Sequence, residues 1–144
     1  MAKLTRRRFL RTAAAAAAAL TLCLVSLAGV PPLFGFTGKF VVFKGKDGQD
    51  YFRLKAGNGE TILSSEGYKT RKSCMNGIES VRKNSQDPKR FEVKSAKDGR
   101  EYFVLKATNG QEVGRSQMYK SSSGCRNGMK SLATNAANAG VTEE

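Results

Sequence analysis

The chain has 144 residues, with 25 Lys and Arg against 12 Asp and Glu, a formal charge of +13, three Cys, and no His or Trp. Without His there is no Ser-His-Asp or Cys-His catalytic arrangement and no imidazole metal site, which excludes most hydrolytic chemistries. The basic balance attracts anionic surfaces through a summed field, but it bears on solubility and non-specific binding before it bears on function.

The first element is an address label. Thr5 to Arg11 read Thr-Arg-Arg-Arg-Phe-Leu-Arg. This resembles the twin-arginine export signal, with Arg6 and Arg7 as the pair, Phe9 and Leu10 as the apolar positions, and Arg11 in place of the usual Lys. An Ala- and Leu-rich run follows from Thr12 to Ala28. Ser26 and Ala28 offer the small residues a signal peptidase needs, so cleavage is expected after Ala28 and the protein is expected in the periplasm. An alternative is an uncleaved apolar anchor running on to Phe34. Pro31-Pro32 argues against one continuous helix there. Residues 29–39 read as a linker. Removing 1–28 leaves 20 basic and 12 acidic residues, a net of +8.

The remainder is written twice. Phe40 to Asn84 aligns without a gap on Phe91 to Asn135, each residue standing 51 positions after its mate, as Asp98 does after Asp47. Asp-Gly, Tyr-Phe, Asn-Gly, Tyr-Lys and Cys all recur in register. Two copies are too few for a solenoid. One copy of about 50 residues would bury only a marginal core. Repeats 40–90 and 91–144 are therefore expected to share one domain.

Each copy opens with β-favouring runs punctuated by Asp-Gly and Asn-Gly, the pattern of a three-strand meander. A three-residue loop ending in Gly48, a type I turn with a G1 bulge, places Val42 opposite Phe52 and Phe40 opposite Leu54. The same loop in the second copy places Val93 opposite Phe103 and Phe91 opposite Leu105. Both copies then keep their apolar residues on one face, which a two-residue loop would not. The equivalent loop at Gly57-Asn58-Gly59 predicts Ile62 opposite Leu54, and its mate predicts Val113 opposite Leu105.

The period then changes. Cys74, Gly77, Ile78 and Val81, and their mates Cys125, Gly128, Met129 and Leu132, recur at helical spacing. Thr70 and Ser121 or Ser122 suit the N-caps. Asn84 and Asn135 suit left-handed ends. Gly77 and Gly128 cost helix propensity, so their place on the apolar stripe predicts close helix-to-sheet contact. A last short strand is expected near Val141. The fold class is α+β: tandem β(3)-α-β repeats forming one antiparallel sheet with two helices on one face.

Leu-Lys-Ala-x-Asn-Gly at 54–59 and 105–110, Ser-Glu-Gly-Tyr-Lys at 65–69 with Ser-Gln-Met-Tyr-Lys at 116–120, and Asn-Gly-Ile-Glu-Ser-Val at 76–81 resemble the YegP-like family. The resemblance implies a single sheet from two units that exchange terminal strands. It implies no activity, catalytic residue or ligand, because the family has none established. An export signal and a short closing segment, Ala139 to Thr142, depart from its pattern.

Helices on one side leave the other sheet face free. Alternation puts Tyr51, Arg53 and Lys55, and Tyr102, Val104 and Lys106, on that face, joined by Phe43 and Lys94. Aromatics interleaved with cations resemble a stacking platform. Tyr51, Arg53, Lys55, Tyr102 and Lys106 are the candidate binding residues. A solvated face chosen for strand propensity is the plainer alternative. Burial of Val41, Phe43 and Val104 in a homodimer is a third. The expected partner is an anionic envelope polymer or a peptide, and export disfavours nucleic acid. Cys74 and Cys125 either pair as a disulfide or pack as small apolar residues. No cofactor, metal site or catalytic residue is expected, and the chain reads as non-enzymatic. The rivals are an enzyme of unrecognised type and an envelope protein binding peptides at sheet edges.

Overall fold

A computed structural model describes residues 38–144. The export signal, its cleavage point and the linker up to residue 37 lie outside the described residues. Ten elements follow in order. They are β1 (Lys39–Lys44), β2 (Asp50–Lys55), β3 (Thr61–Ser65), α1 (Arg71–Asn84), a 3-10 turn (Pro88–Arg90), β4 (Phe91–Ser95), β5 (Glu101–Lys106), β6 (Glu112–Ser116), α2 (Ser122–Asn138) and β7 (Gly140–Glu143).

The strands form one sheet in the order β4-β5-β6-β3-β2-β1-β7. β3 pairs antiparallel with β6, which joins the two repeats into a continuous layer. Every neighbouring pair is antiparallel except β7, which runs parallel to β1. The sheet is therefore mixed, and the second repeat returns its last strand to the first strand of the first repeat.

The first hairpin of each copy has the expected bulged loop. Gly48 and Gly99 sit at φ 81° and 83°, in the left-handed region that only Gly adopts at no cost. Val42 faces Phe52, Phe40 faces Leu54, Val93 faces Phe103 and Phe91 faces Leu105. The second hairpin departs from expectation. Its three-residue loop is as read, with Ala56 N–H bonding to Glu60 C=O at 2.8 Å. A bulge follows, so that Leu54 faces Leu63 and Leu105 faces Gly114, rather than Ile62 and Val113. The extra residue lets Ile62 and Leu63 both reach the core, as both are buried.

Both helices lie on the same sheet face. Cys74, Ile78 and Val81 of α1, and Cys125, Leu132 and Ala136 of α2, share one apolar cluster with Phe40, Phe52, Leu54, Phe103 and Leu105. Each large side chain of that cluster contributes roughly 1.5–3 kcal/mol by leaving water. Thr70 and Ser121 cap the helices, accepting from Ser73 and Gly124 N–H at 3.2 and 3.1 Å. The Asn residues do not form left-handed ends. Asn84 is the last residue of α1 and its cap Ser85 has φ −65°, while α2 runs past Asn135 to Asn138. Their amides instead donate to the carbonyls of Ser80 and Ser131, both at 2.8 Å. Cys74 and Cys125 are buried free thiols, one under each helix, and burial pushes both above the usual thiol range.

The mid-helix glycines have a specific cause. Tyr68 is pinned to Asp50 by two backbone hydrogen bonds of 2.8 Å, and its ring stacks on Phe52 with centroids 6.1 Å apart. Tyr119 is pinned to Glu101 and stacks on Phe103 at 6.2 Å. Each phenol then lies under a helix, against Gly77 or Gly128. A Cβ at either position would collide with the tyrosine, whose far side is backed by phenylalanine. Gly128→Ala is expected to lower the urea midpoint by the equivalent of about 1–3 kcal/mol, despite a propensity gain of about 1 kcal/mol. Gly124→Ala, which meets Ser121 Oγ at 3.3 Å and Tyr119 at 3.6 Å, is expected to stay within about 0.5 kcal/mol of the parent.

Candidate functional site

The helix-free face carries the five residues read from alternation. Tyr51, Arg53 and Lys55 stand on β2, and Tyr102 and Lys106 on β5, with β3 and β6 between them. They form two rows on one face rather than one continuous cluster. Across the sheet one line of partners runs Thr142, Val41, Arg53, Ser64, Arg115, Val104, Glu92. Val41 and Val104 in that line are buried, whereas Arg53 and Arg115 are exposed. Two strand spacings, about 10 Å, separate the backbones of the two arginines.

Each arginine rests on an aromatic ring. The Arg53 guanidinium lies 4.4 Å from the Phe43 centroid, and Phe43 stacks on Tyr51 at 5.7 Å. Arg115 lies 5.8 Å from the Tyr102 centroid. Such contacts hold a guanidinium flat while leaving its N–H groups available. Their acidic company differs. Arg115 pairs with Glu112 at 3.1 Å and Glu66 at 3.8 Å, and the Glu112 hydrogen bond raises its already high pKa. Lys55 pairs with Glu144 at 3.6 Å, and Lys106 pairs with Glu92. The Lys106 hydrogen bond holds Glu92 below the usual carboxylate range. Among the described residues Arg53 has no acidic partner. Exposed pairs of this kind contribute little, so an anionic ligand can exchange for them at small cost.

Arg115 was missed by the sequence reading. The bulge at Val113 moves Gly114 onto the core side and turns Arg115 to the helix-free face. The charge of Arg115 was the available signal, since the unbulged register would have aimed a guanidinium into the core.

A cleft of about 390 Å³ lies on the other side, between α1 and the β5–β6 hairpin, lined in part by Glu66, Tyr68, Asn76, Gln111 and Glu112. Tyr68 is raised above the usual phenol range, chiefly by burial, so it is a poor base or nucleophile at neutral pH. Among the described residues no group of three or more Cys, Asp and Glu could hold a metal.

A family model described as a domain of unknown function, DUF1508, matches residues 46–92 and again 96–143. The chain belongs to the DUF1508 family. A UPF0339 protein of Pseudomonas aeruginosa is 53% identical over 106 residues, which cover 74% of this chain and 96% of that protein. One from Pasteurella multocida is 54% identical over 92 residues, 64% of this chain and 81% of the relative. The solution structure of yegP from E. coli, itself described as a protein of unknown function, superimposes with a TM-score of 0.72 at 44% identity, covering 75% of this chain and 93% of that one. A UPF0339 protein of Shewanella oneidensis gives 0.71 at 43% identity, covering 74% and 91%. The YegP-like fold expected from the repeated motifs is thus the fold of the DUF1508 relatives.

Tyr51 has one further tie. Its hydroxyl donates to Asp47 Oδ2 at 2.6 Å, while Gln49 N–H donates to Oδ1 at 3.1 Å. The Tyr51 hydrogen bond, with that of Gln49, lowers Asp47 below the usual Asp range, and the same bond raises Tyr51 above the usual phenol range. A depressed folded-state carboxylate adds stability that is present above the ordinary Asp pKa and is lost as pH falls through the lowered value. Carbon-detected NMR titration is expected to place the Asp47 midpoint below that of an ordinary Asp. In Asp47→Asn the Tyr51 midpoint is expected to move back down.

Proposed function

We propose that this DUF1508 protein is an exported, non-catalytic binding module that lays an anionic envelope polymer across the helix-free sheet face. The observation that carries this reading is the line Arg53–Ser64–Arg115, in which two exposed guanidiniums, each seated on an aromatic ring, flank a small hydroxyl residue. A sheet face with spaced cations and rings suits repeating anionic groups better than a single small molecule. Tyr51, Lys55, Tyr102 and Lys106 extend the same surface along their strands. Arg53→Ala is expected to weaken binding to lipopolysaccharide micelles roughly tenfold, the loss of one charge-assisted contact. Tyr51→Ala with Tyr102→Ala is expected to weaken it further with the fold intact by circular dichroism. Long-chain polyphosphate serves as a sugar-free control, and the titration is run over a salt series. Unchanged affinity in both variants would remove the platform.

Export rests on the Thr5 to Arg11 pattern. The segment bearing that pattern lies outside the family match, which begins at residue 46. Arg6→Lys with Arg7→Lys is expected to retain the protein in the cytosol as the unprocessed chain. The parent is expected in the periplasmic fraction with Gly29 as its first residue. Periplasmic, processed double variant would sink the twin-arginine route.

A further inference from the structure

β1 and β4 are mates under the repeat, but among the described residues only β1 has a strand on its outer side. On β1, the tail strand β7 closes the edge. Glu144 N–H donates to Val42 C=O at 3.0 Å, and Val141 stands opposite Phe40. Arg82 locks this closure, donating to Ala139 C=O at 2.6 Å with its guanidinium 5.6 Å from the Phe40 ring centroid. Glu143 pairs with Arg71, and Glu144 with Lys55. Phe40 and Val42 are consequently fully buried.

On β4 the mates of those residues are Phe91 and Val93. The chain that would follow α1 to cover them is instead drawn into β4 itself, through the 3-10 turn at Pro88–Arg90. Among the described residues no strand pairs with the outer edge of β4. Val93 is 49% exposed where Val42 is 0%. Ala96 N–H bonds back to Arg100 C=O at 2.7 Å, so by antiparallel alternation Val93 and Ser95 aim their N–H groups outward, with the carbonyls of Phe91 and Val93. The Phe91 N–H is already used by Pro88 C=O. Ala133 stands where Arg82 stands in the first copy. The space it leaves is a groove of about 340 Å³ floored by Pro88, Phe91, Met129 and Ala133, with Arg126 and Lys130 on its rim.

We infer that the β4 edge and this groove accept an extended acidic peptide segment as an eighth strand, parallel to β4, in the arrangement β7 uses on β1. The chain's own tail, Ala139 to Glu144, is the template. A small apolar residue enters the groove, a β-branched residue faces Phe91, and acids follow. Backbone hydrogen bonds hold such a strand and the groove selects its side chains. The cations on the rim, with exposed Lys89 nearby, complement the acids. A second copy's tail is a weaker occupant, because leaving its own β1 would forfeit the same bonds it gained. This site is independent of the polymer-binding face.

The test is an NMR titration of the nitrogen-15-labelled full chain with the synthetic peptide Asn-Ala-Gly-Val-Thr-Glu-Glu. Saturable shifts and slowed solvent exchange are expected at the Val93 and Ser95 amides. A peptide ending in Lys-Lys is expected to bind more weakly. Val93→Pro removes an outward donor without touching the β5 ladder, and is expected to weaken binding roughly fivefold to tenfold. If that variant does not fold, Val93→Glu, which leaves the backbone intact and sets a carboxylate opposite the first glutamate of the peptide, is expected to weaken binding in the same direction. Tyr51→Ala with Tyr102→Ala is expected to leave peptide binding unchanged, which separates this site from the sheet face. Three results would overturn the inference: no saturable shift at β4, shifts confined to β1 as the peptide displaces the tail, or a dimer in peptide-free solution with the β4 amides already protected.

Discussion

The pairing of β3 with β6 is the contact on which the rest of the molecule depends. Each repeat alone presents a meander and one helix, too little apolar area for a stable core. Joined at β3–β6, the two meanders become one sheet wide enough to be roofed by both helices. The junction works because the copies differ there. Leu63 and Gly114 are mates under the repeat. A Cβ on Gly114 would meet Leu63 Cδ2 at 3.0 Å and Ser64 C=O at 2.9 Å. Two leucines would overfill the seam and two glycines would leave it hollow, so one large and one absent side chain pack where identity could not. Ser65 and Ser116, by contrast, keep one role. Each hydroxyl accepts from the phenylalanine N–H of the neighbouring strand, Phe52 or Phe103, at 2.9 Å.

From that seam outward the halves repeat one packing scheme. Phe40, Phe52 and Tyr68 form an aromatic run whose mates are Phe91, Phe103 and Tyr119. The tyrosine bridges from sheet to helix, the glycine above it grants room, and the cysteine a few residues earlier fills the adjacent space without a hydroxyl to satisfy. The repetition of Tyr, Gly and Cys therefore reports a shared packing requirement. It breaks down at the outer strands, since a tandem chain has only one free C-terminal strand with which to close two equivalent edges.

Much of this was legible in the residues. Asp-Gly and Asn-Gly marked loops whose glycines do sit at positive φ, and the first hairpin register followed from keeping Phe40, Val42, Phe52 and Leu54 on one face in both copies. The second hairpin was misread because alternation is a rule about unbroken strands. The bulge at Ile62 and Val113 inserts one residue, and nothing local to Thr61-Ile62-Leu63 distinguishes an apolar pair spanning a bulge from one apolar residue turned outward. That slip also hid Arg115. The Asn residues were misassigned because an amide near a helix end can serve a left-handed cap or reach back to the carbonyl four residues earlier. The alanines after Asn135 favour continuing the helix, so the second use prevails there. The groove at Phe91 could not be read at all from one copy. It emerges only from comparing what covers Phe40 with what does not cover its mate.

Duplication supplies its own control for separating folding from function. A residue that recurs and has the same surroundings in both copies is accounted for by packing, as Tyr68, Gly77 and Cys74 are. Divergence at Leu63 and Gly114 is also a packing matter, but four other divergent pairs on the retained backbone are free of that account: Arg53 against Val104, Phe43 against Lys94, Ser64 against Arg115, and Arg82 against Ala133. Three of these four pairs fall on the helix-free face, and the fourth decides whether an edge is sealed. Tyr51 and Tyr102 recur, but in different company, one bonded to Asp47 and the other under Arg115. Divergence on a retained scaffold therefore falls on the surface, where the described residues of the two copies leave a helix-free face bearing cations and an unpaired outer edge on β4.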